Sequence, residues 1–306
     1  MSAPSDASAL SRPEHAGRAL RAARAIGMVV FAILLFTVMD TIAKSLSARY
    51  PVSQVIWARY FFQFALMLLL IPRIGVRGLV RTTRPAIHLV RGVLLAFSTI
   101  CMITAISLVP LADAYTITFV APLLVTVFSI PLLGERVGWR RWSAVVAGFA
   151  GVLIVIRPGL AMPDWALILP LLTAIGFALY QILTRKVSVV PSETSFAMLF
   201  HVAWVGTVIM TAYMPLVWQP VALFDWLPMV AMGALGGLGH LILIRALMVA
   251  AASLLAPFIY TQIIWALILG YLVFGDVPDV WMLLGGAVII ASGLYVFYRE
   301  AVPGRS

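Results

Sequence analysis

The sequence predicts an all-α polytopic membrane protein of ten transmembrane helices in two inverted five-helix repeats, and three observations carry that expectation. Of 306 residues, 63% are hydrophobic and only 10% are charged, and the apolar residues form long successive blocks without the alternation of strands. The cations gather in alternate loops, as they do in helical membrane proteins. The chain also matches itself when slid by about 140 residues.

Residues 1–24 are rich in Ala, Ser and Arg and lack apolar periodicity, so they read as a disordered cytoplasmic tail. A cleaved leader is not expected, because the first apolar block is longer than a signal-peptide core and follows a long polar stretch. The blocks then lie at about 25 to 46, 52 to 71, 86 to 108, 111 to 133 and 139 to 156, closing a first repeat over 25–157. A second repeat over 164–298 holds blocks at about 164 to 184, 193 to 213, 226 to 247, 253 to 274 and 280 to 298, and 299–306 form a short tail.

With the amino terminus in the cytoplasm, the inner side receives Arg12 to Arg24, the loop from Arg73 to Arg84, Arg136, Arg140, Arg141, Arg185, Lys186, Arg299 and Arg305. The outer side receives Lys44, Arg49 and Arg157. This asymmetry places both termini inside, with a bacterial inner membrane as the expected location. The excess of 21 Lys and Arg over 11 Asp and Glu fits anionic lipid headgroups. Without an aromatic-interleaved basic patch it gives no case for nucleic acid. The single cysteine, Cys101, excludes a disulfide within the chain.

Within the blocks the polar residues stand out. Asp40 and Lys44 are four residues apart, acid before base, the favourable order for a pair on one helix face. Asp40 lies about 9 Å short of the far end of its block and Arg59 about 10 Å in from the same turn, so the two are level. An ionised group in hydrocarbon costs about 2.5 to 3.5 kcal/mol on insertion scales, so both should face the protein interior and each other. Arg91 and Arg245 are close enough to the inner ends of their blocks to snorkel. The fourth block contains Asp113, near its outer end, with Pro122 and Pro131, whose freed carbonyls need protein or a wet cavity. Ala144, Ala147, Gly148 and Gly151 on the fifth suit close helix packing.

The internal match sets Pro51 on Pro191, Asp40 on Tyr180, Gly92 on Gly233, Ala105 on Ala246 and Gly134-Glu135 on Gly275-Asp276. Five blocks per repeat is an odd number, so the second copy enters the membrane inverted. The loop charges agree: Arg136, Arg140 and Arg141 follow the first Gly-acid pair, whereas the loop of the second, Gly275 to Asp279, holds two acids and no cation. Inverted halves around a midplane site are the signature of a carrier. His201 and His240 fall about 12 and 10 Å from the inner ends of their blocks, level with each other. Gly233, Gly236, Gly237 and Gly239 would let a helix or a solute approach closely. Tyr180, Gln181, Tyr260, Gln262 and Trp265 add aromatic and hydrogen-bonding groups away from the interfacial belts. The expected substrate-binding set is thus Asp40, Arg59, Tyr180, Gln181, His201, His240, Tyr260, Gln262 and Trp265.

The chain resembles the EamA-type carriers of the drug/metabolite transporter superfamily across residues 25–298. The resemblance is carried by MDTIAK in the first block, WARYFF in the second, PLADAYTITFVAPLL in the fourth and GERVGWRRWSAVVAGFAGVLIVIRPG closing the first repeat. It implies ten helices in two inverted halves, a central cavity and alternating access for a small metabolite, with no cofactor. Members export amino acids or carry riboflavin, purines and S-adenosylmethionine, and the acid followed four residues later by Lys looks most like the S-adenosylmethionine-uptake group. The second half departs from the pattern, with Tyr180 for the acid, Thr184 for the lysine and Leu199 at the place of Arg59. An intramembrane enzyme would need clustered nucleophiles, metal ligands or paired carboxylates, and a retinal-type protein a late-helix lysine. Neither pattern occurs in the sequence. A carrier of a small polar or zwitterionic metabolite is the function expected, with an S-adenosylmethionine, riboflavin or purine carrier as the alternative.

Overall fold

A computed structural model describes residues 11–133, 139–156, 165–188, 190–249 and 258–301, together with Leu255. The Gly134-Glu135-Arg136 segment, Arg157 and the first ten residues lie outside these. Every described element is helical: α1 (Ser11–Ser47), α2 (Val52–Leu68), α3 (Pro85–Leu108), α4 (Leu111–Thr118), α5 (Ala121–Leu133), α6 (Trp139–Ile156), α7 (Ile168–Ser188), α8 (Ser195–Tyr213), α9 (Trp226–Val249), α10 (Thr261–Leu269), which runs on as a π turn over Gly270–Phe274, and α11 (Val280–Ala301). Helix α1 starts at Ser11, so the tail expected to be disordered is helical from there. Its run of Ala, Arg and Leu is rich in strong helix formers.

Five segments are long and apolar enough to cross a membrane: Ala23–Ser47, Pro85–Leu108, Trp165–Ser188, Ser195–Leu216 and Leu223–Val249. The other blocks give shorter apolar stretches, one of them for a clear local reason. The fourth is split, because Pro122 has no N–H to offer the Thr118 carbonyl four residues back and its ring crowds that carbonyl; α4 accordingly stops at Thr118 and α5 resumes at Ala121.

Six of the described connections gather at two ends of the bundle. Contacts of Lys44 with Val109 and Asp276, of Arg49 with Asp225 and of Gln54 with Gln219 gather the turns after α1, α3, α8 and α10 at one end. Contacts of Thr82 and Thr83 with Glu193 gather the connections after α2 and α7 at the other.

The most extensive packing is α6 on α11, then α1 on α9 and α3 on α7, followed by α2 on α9, α2 on α8 and α3 on α8. This set keeps its form when the halves are exchanged, α1 for α7, α2 for α8, α3 for α9 and α6 for α11. The α6–α11 and α2–α8 pairings map onto themselves and the rest onto one another. Packing between helices in lipid rests on close contact, since lipid tails are as apolar as leucine. Helices α6 and α11 achieve it with glycine: a Cβ on Gly151 would lie 2.9 Å from the Gly285 carbonyl, and one on Gly285 2.6 Å from the Gly151 carbonyl.

Candidate functional site

A chain of polar groups, partly exposed at one end and buried beyond it, runs between the halves from one end of the bundle to the other. At the first end Lys44 Nζ donates to Asp276 Oδ2 at 3.0 Å and to the Val109 carbonyl at 3.1 Å. The ammonium also stands over the Phe274 ring at 4.7 Å. Gly275, at φ +72°, takes the left-handed turn that a side chain would resist, and it returns the chain so that Asp276 faces Lys44. The expected Asp40–Lys44 pair does not form, because Lys44 is drawn across to the other half. Alongside, Arg49 Nη1 donates to both oxygens of Asp225 at 2.7 and 2.8 Å, and Tyr50 donates to Asp225 at 2.6 Å.

Deeper in, the Tyr115 hydroxyl of α4 donates to Asp40 Oδ2 at 2.6 Å, and Gln262 and Thr37 interact with the same hydroxyl. Arg59 acts on Asp40 electrostatically without closing an ion pair. Its Nη1 donates to Thr99 Oγ1 at 2.5 Å and its Nη2 lies 3.4 Å from His240 Nε2. Tyr60 shares the Thr99 hydroxyl at 2.8 Å. Asp40 and Arg59 both face inward as expected, 6% and 5% exposed; the direct contact does not occur, because neutral hydroxyls from α3 and α4 reach each group first. Phe36 packs on His240 with ring centroids 4.7 Å apart, and Tyr180 approaches it edge-on at 6.4 Å.

Tyr180 links this middle set to the far one, since Arg91 stands over its ring at 5.3 Å. Arg91 was expected to snorkel to the headgroups; it is instead 0% exposed. Its Nε donates to Thr184 at 2.9 Å, and its Nη1 lies 2.9 Å from His88 Nδ1. Snorkelling presupposes a lipid-facing side chain, and α3 turns this face to α7. His88 Nε2 lies 3.0 Å from Glu193 Oε2, while Glu193 Oε1 accepts from the Thr83 amide and the Thr82 hydroxyl, each at 2.9 Å. Burial pushes the Glu193 carboxyl up, but the Thr83 amide, the Thr82 hydroxyl and His88 together hold it below the usual carboxylate range. Thr194 caps α8, its hydroxyl accepting from the Ala197 amide at 3.1 Å, which fixes Glu193 at the mouth of that helix.

The nine expected residues therefore divide. Asp40, Arg59, Tyr180, His240 and Gln262 meet in the middle set. His201 belongs to the Glu193 end: its ring lies 4.7 Å from His88, and it bonds the Val80 carbonyl at 3.2 Å and Trp204 at 3.1 Å. The level it was expected to share with His240 fails because α8 begins at Ser195 and α9 runs on to Val249, which puts His201 about 9 Å and His240 about 14 Å from those ends. Tyr260 packs on Phe119 at 5.3 Å with its hydroxyl unpartnered. Trp265 packs with Val29, Ile33 and Ala246 in a separate apolar cluster, its indole N–H also unpartnered. Gln181 is half-buried and takes no part in these hydrogen bonds.

The sequence reading missed Tyr115, Thr99, Gln63, Arg91, His88 and Glu193. A signal existed for α3, where His88, Arg91, Ser98 and Thr99 recur at helical spacing and define a polar stripe. Gln63, one turn after Arg59, carried the same signal on α2. Among the described residues no group of three or more His, Cys, Asp and Glu side chains is arranged to hold a metal.

The EamA-like transporter family model matches the chain twice, over residues 23–157 and 164–298. A S-adenosylmethionine uptake transporter of Rickettsia bellii is 28% identical over 275 residues, covering 90% of this chain and 94% of the relative. A pseudopaline exporter of Pseudomonas aeruginosa is 28% identical over 271 residues, with 87% and 93% covered. A riboflavin transporter of Rhizobium johnstonii is 25% identical over 278 residues, with 89% and 90% covered. One crystal structure superposes with a TM-score of 0.64 at 19% identity, covering 92% of this chain and 99% of its own, a likeness of fold.

Proposed function

The chain belongs to the EamA-like transporter family, and from that premise we propose that it carries a small polar or zwitterionic metabolite, an amino acid or derivative, by alternating access between two inverted five-helix halves. The observation that carries this reading is the buried polar chain between the halves, where Asp40 and Arg59 sit without closing on each other. Asp40 offers a negative charge to a solute's ammonium and Arg59 a positive one to its carboxylate, with Tyr180, His240 and Gln262 beside them. Intramembrane charges that face a protein interior mark solute pathways.

The exchange-symmetric helix pairing, the antiparallel run of α6 on α11 and the gathering of the connections at two ends support ten crossings in inverted halves. The cations of the loop from Arg73 to Arg84 stand at the Glu193 end, which the positive-inside rule assigns to the cytoplasm together with both termini. The aromatic rings around His240 favour a second reading, in which the solute also carries a planar ring, as S-adenosylmethionine, riboflavin and purines do.

Purified protein in proteoliposomes, assayed for flux of labelled methionine, S-adenosylmethionine and riboflavin, tests both readings. Flux above that of empty vesicles is expected for at least one probe, with loss in an Arg59→Gln variant that keeps its thermal stability. Vesicles that pass none of the three, or an Arg59→Gln variant that transports as well as the parent, would overturn the assignment.

A further inference from the structure

Three buried polar atoms on one face of α2 have no hydrogen-bond partner: Arg59 Nε, Gln63 Nε2 and Gln63 Oε1. Arg59 and Gln63 are one turn apart and only 5% and 1% exposed. Both point at Gly236 of α9, where an added methyl would lie 3.5 Å from Arg59 Nε, 3.6 Å from Gln63 Oε1 and 3.0 Å from Met39 Sδ. The gap is closed by a thioether, the side chain that repacks most readily. Close helix packing accounts for the neighbouring Gly233, where a methyl would come within 2.6 Å of the Gln63 backbone nitrogen. At Gly236 no backbone stands in the way, so packing does not require glycine there. Nor does it explain an amide and a guanidinium N–H left unpaired at low dielectric, which is costly.

Arg59 is otherwise engaged, through Nη1 with Thr99 and through Nη2 beside His240, and Nε is its nitrogen without a partner. Together with Gln63 Nε2 it offers two donors to one acceptor group, and Gln63 Oε1 offers an acceptor next to them. We propose that Arg59 Nε and the Gln63 amide, given room by Gly236, form a carboxylate subsite, so that the solute presents an amino-acid-like end here. The two donors take the carboxylate oxygens, the Gln63 carbonyl takes a neighbouring N–H or O–H, and Met39 moves aside. This inference rests on the transport reading and assigns Gln63 and Gly236 to the recognition of the solute's carboxylate.

The test uses purified full-length protein and matched probe pairs that differ by one carboxylate: methionine with 3-methylthiopropylamine, and S-adenosylmethionine with its decarboxylated analogue. The parent should bind the carboxylate member of at least one pair about tenfold more tightly or better, the size expected for a charge-assisted hydrogen bond. Gln63→Glu keeps the shape and places a like charge against the ligand, so it should abolish that preference while binding the amine at least as well. Gly236→Ala should weaken the carboxylate member about tenfold at unchanged thermal stability. Equal binding of both members by the parent overturns the subsite, as does a Gln63→Glu variant that keeps the preference. If no carboxylate probe binds but the same protein transports riboflavin, the subsite fails and the transport reading stands; if neither occurs, both fail.

Discussion

The two ends of the polar chain join the halves in different ways. At the Lys44 end the halves meet through ion pairs that water reaches: the side chains of Lys44 and Asp276 are 16% and 25% exposed, and that of Arg49 is 55% exposed. At the Glu193 end they meet through a carboxylate with 0% side-chain exposure that serves Thr82, Thr83 and His88 together. An exposed pair contributes about 0 to 1 kcal/mol, because each partner recovers its hydration when the contact opens. A buried carboxylate that leaves its site strands several donors at once. The Lys44 end is therefore the one expected to part at lower cost.

The largest effect that bears on this contrast is expected from Glu193→Ala. It removes the shared acceptor and should cost about 3 kcal/mol, since hydrogen bonds to a charged group contribute about 1.5 to 3 kcal/mol each. Thermal unfolding in detergent measures it, and a loss no larger than that of Lys44→Met would erase the distinction between the ends. A second, smaller effect concerns pH. The Glu193 carboxyl is held below its ordinary value of 4.5, so its contribution is complete above that value and is lost as pH falls through the lower folded one. Stability of the parent should decline below about pH 4.5 more steeply than that of Glu193→Gln, and superimposable curves would remove Glu193 from the account. The smallest effect is predicted for Lys44→Met, at most about 1 kcal/mol. Its consequence should show in access. Ala112 and Asp276 line the same small cleft, so Ala112→Cys in a Cys101→Ala background should react faster with a thiol reagent when Lys44→Met is added. An unchanged rate would mean that this pair does not hold the end closed.

The helical architecture and the family were legible because apolar blocks and the MDTIAK, WARYFF and GERVGW segments are local properties of the chain. The inward facing of the block charges was legible too, since an ionised group in hydrocarbon is costly, and Asp40 and Arg59 are 6% and 5% exposed. Partners were not legible. Lys44 has Asp40 one turn away and bonds Asp276, 232 residues on; Arg91 lies close to a helix end and is buried against Thr184 and Tyr180. Each choice depends on which face of a helix meets which neighbour. The departures in the second half gain a meaning only in three dimensions, since Tyr180 and Thr184, which stand for the acid and lysine of the first half, hold an arginine supplied by α3.

The glycine contact between α6 and α11 has a mechanical consequence. Gly151 and Gly285 bring two backbones together, and any side chain at either position would wedge them apart. A rocking motion that loosens one end and tightens the other needs a place that does neither. In the alternating access proposed above, this crossing would serve as the fulcrum. Gly285→Val should accordingly leave the distant Glu193 cluster intact yet slow turnover, a defect in leverage rather than in recognition.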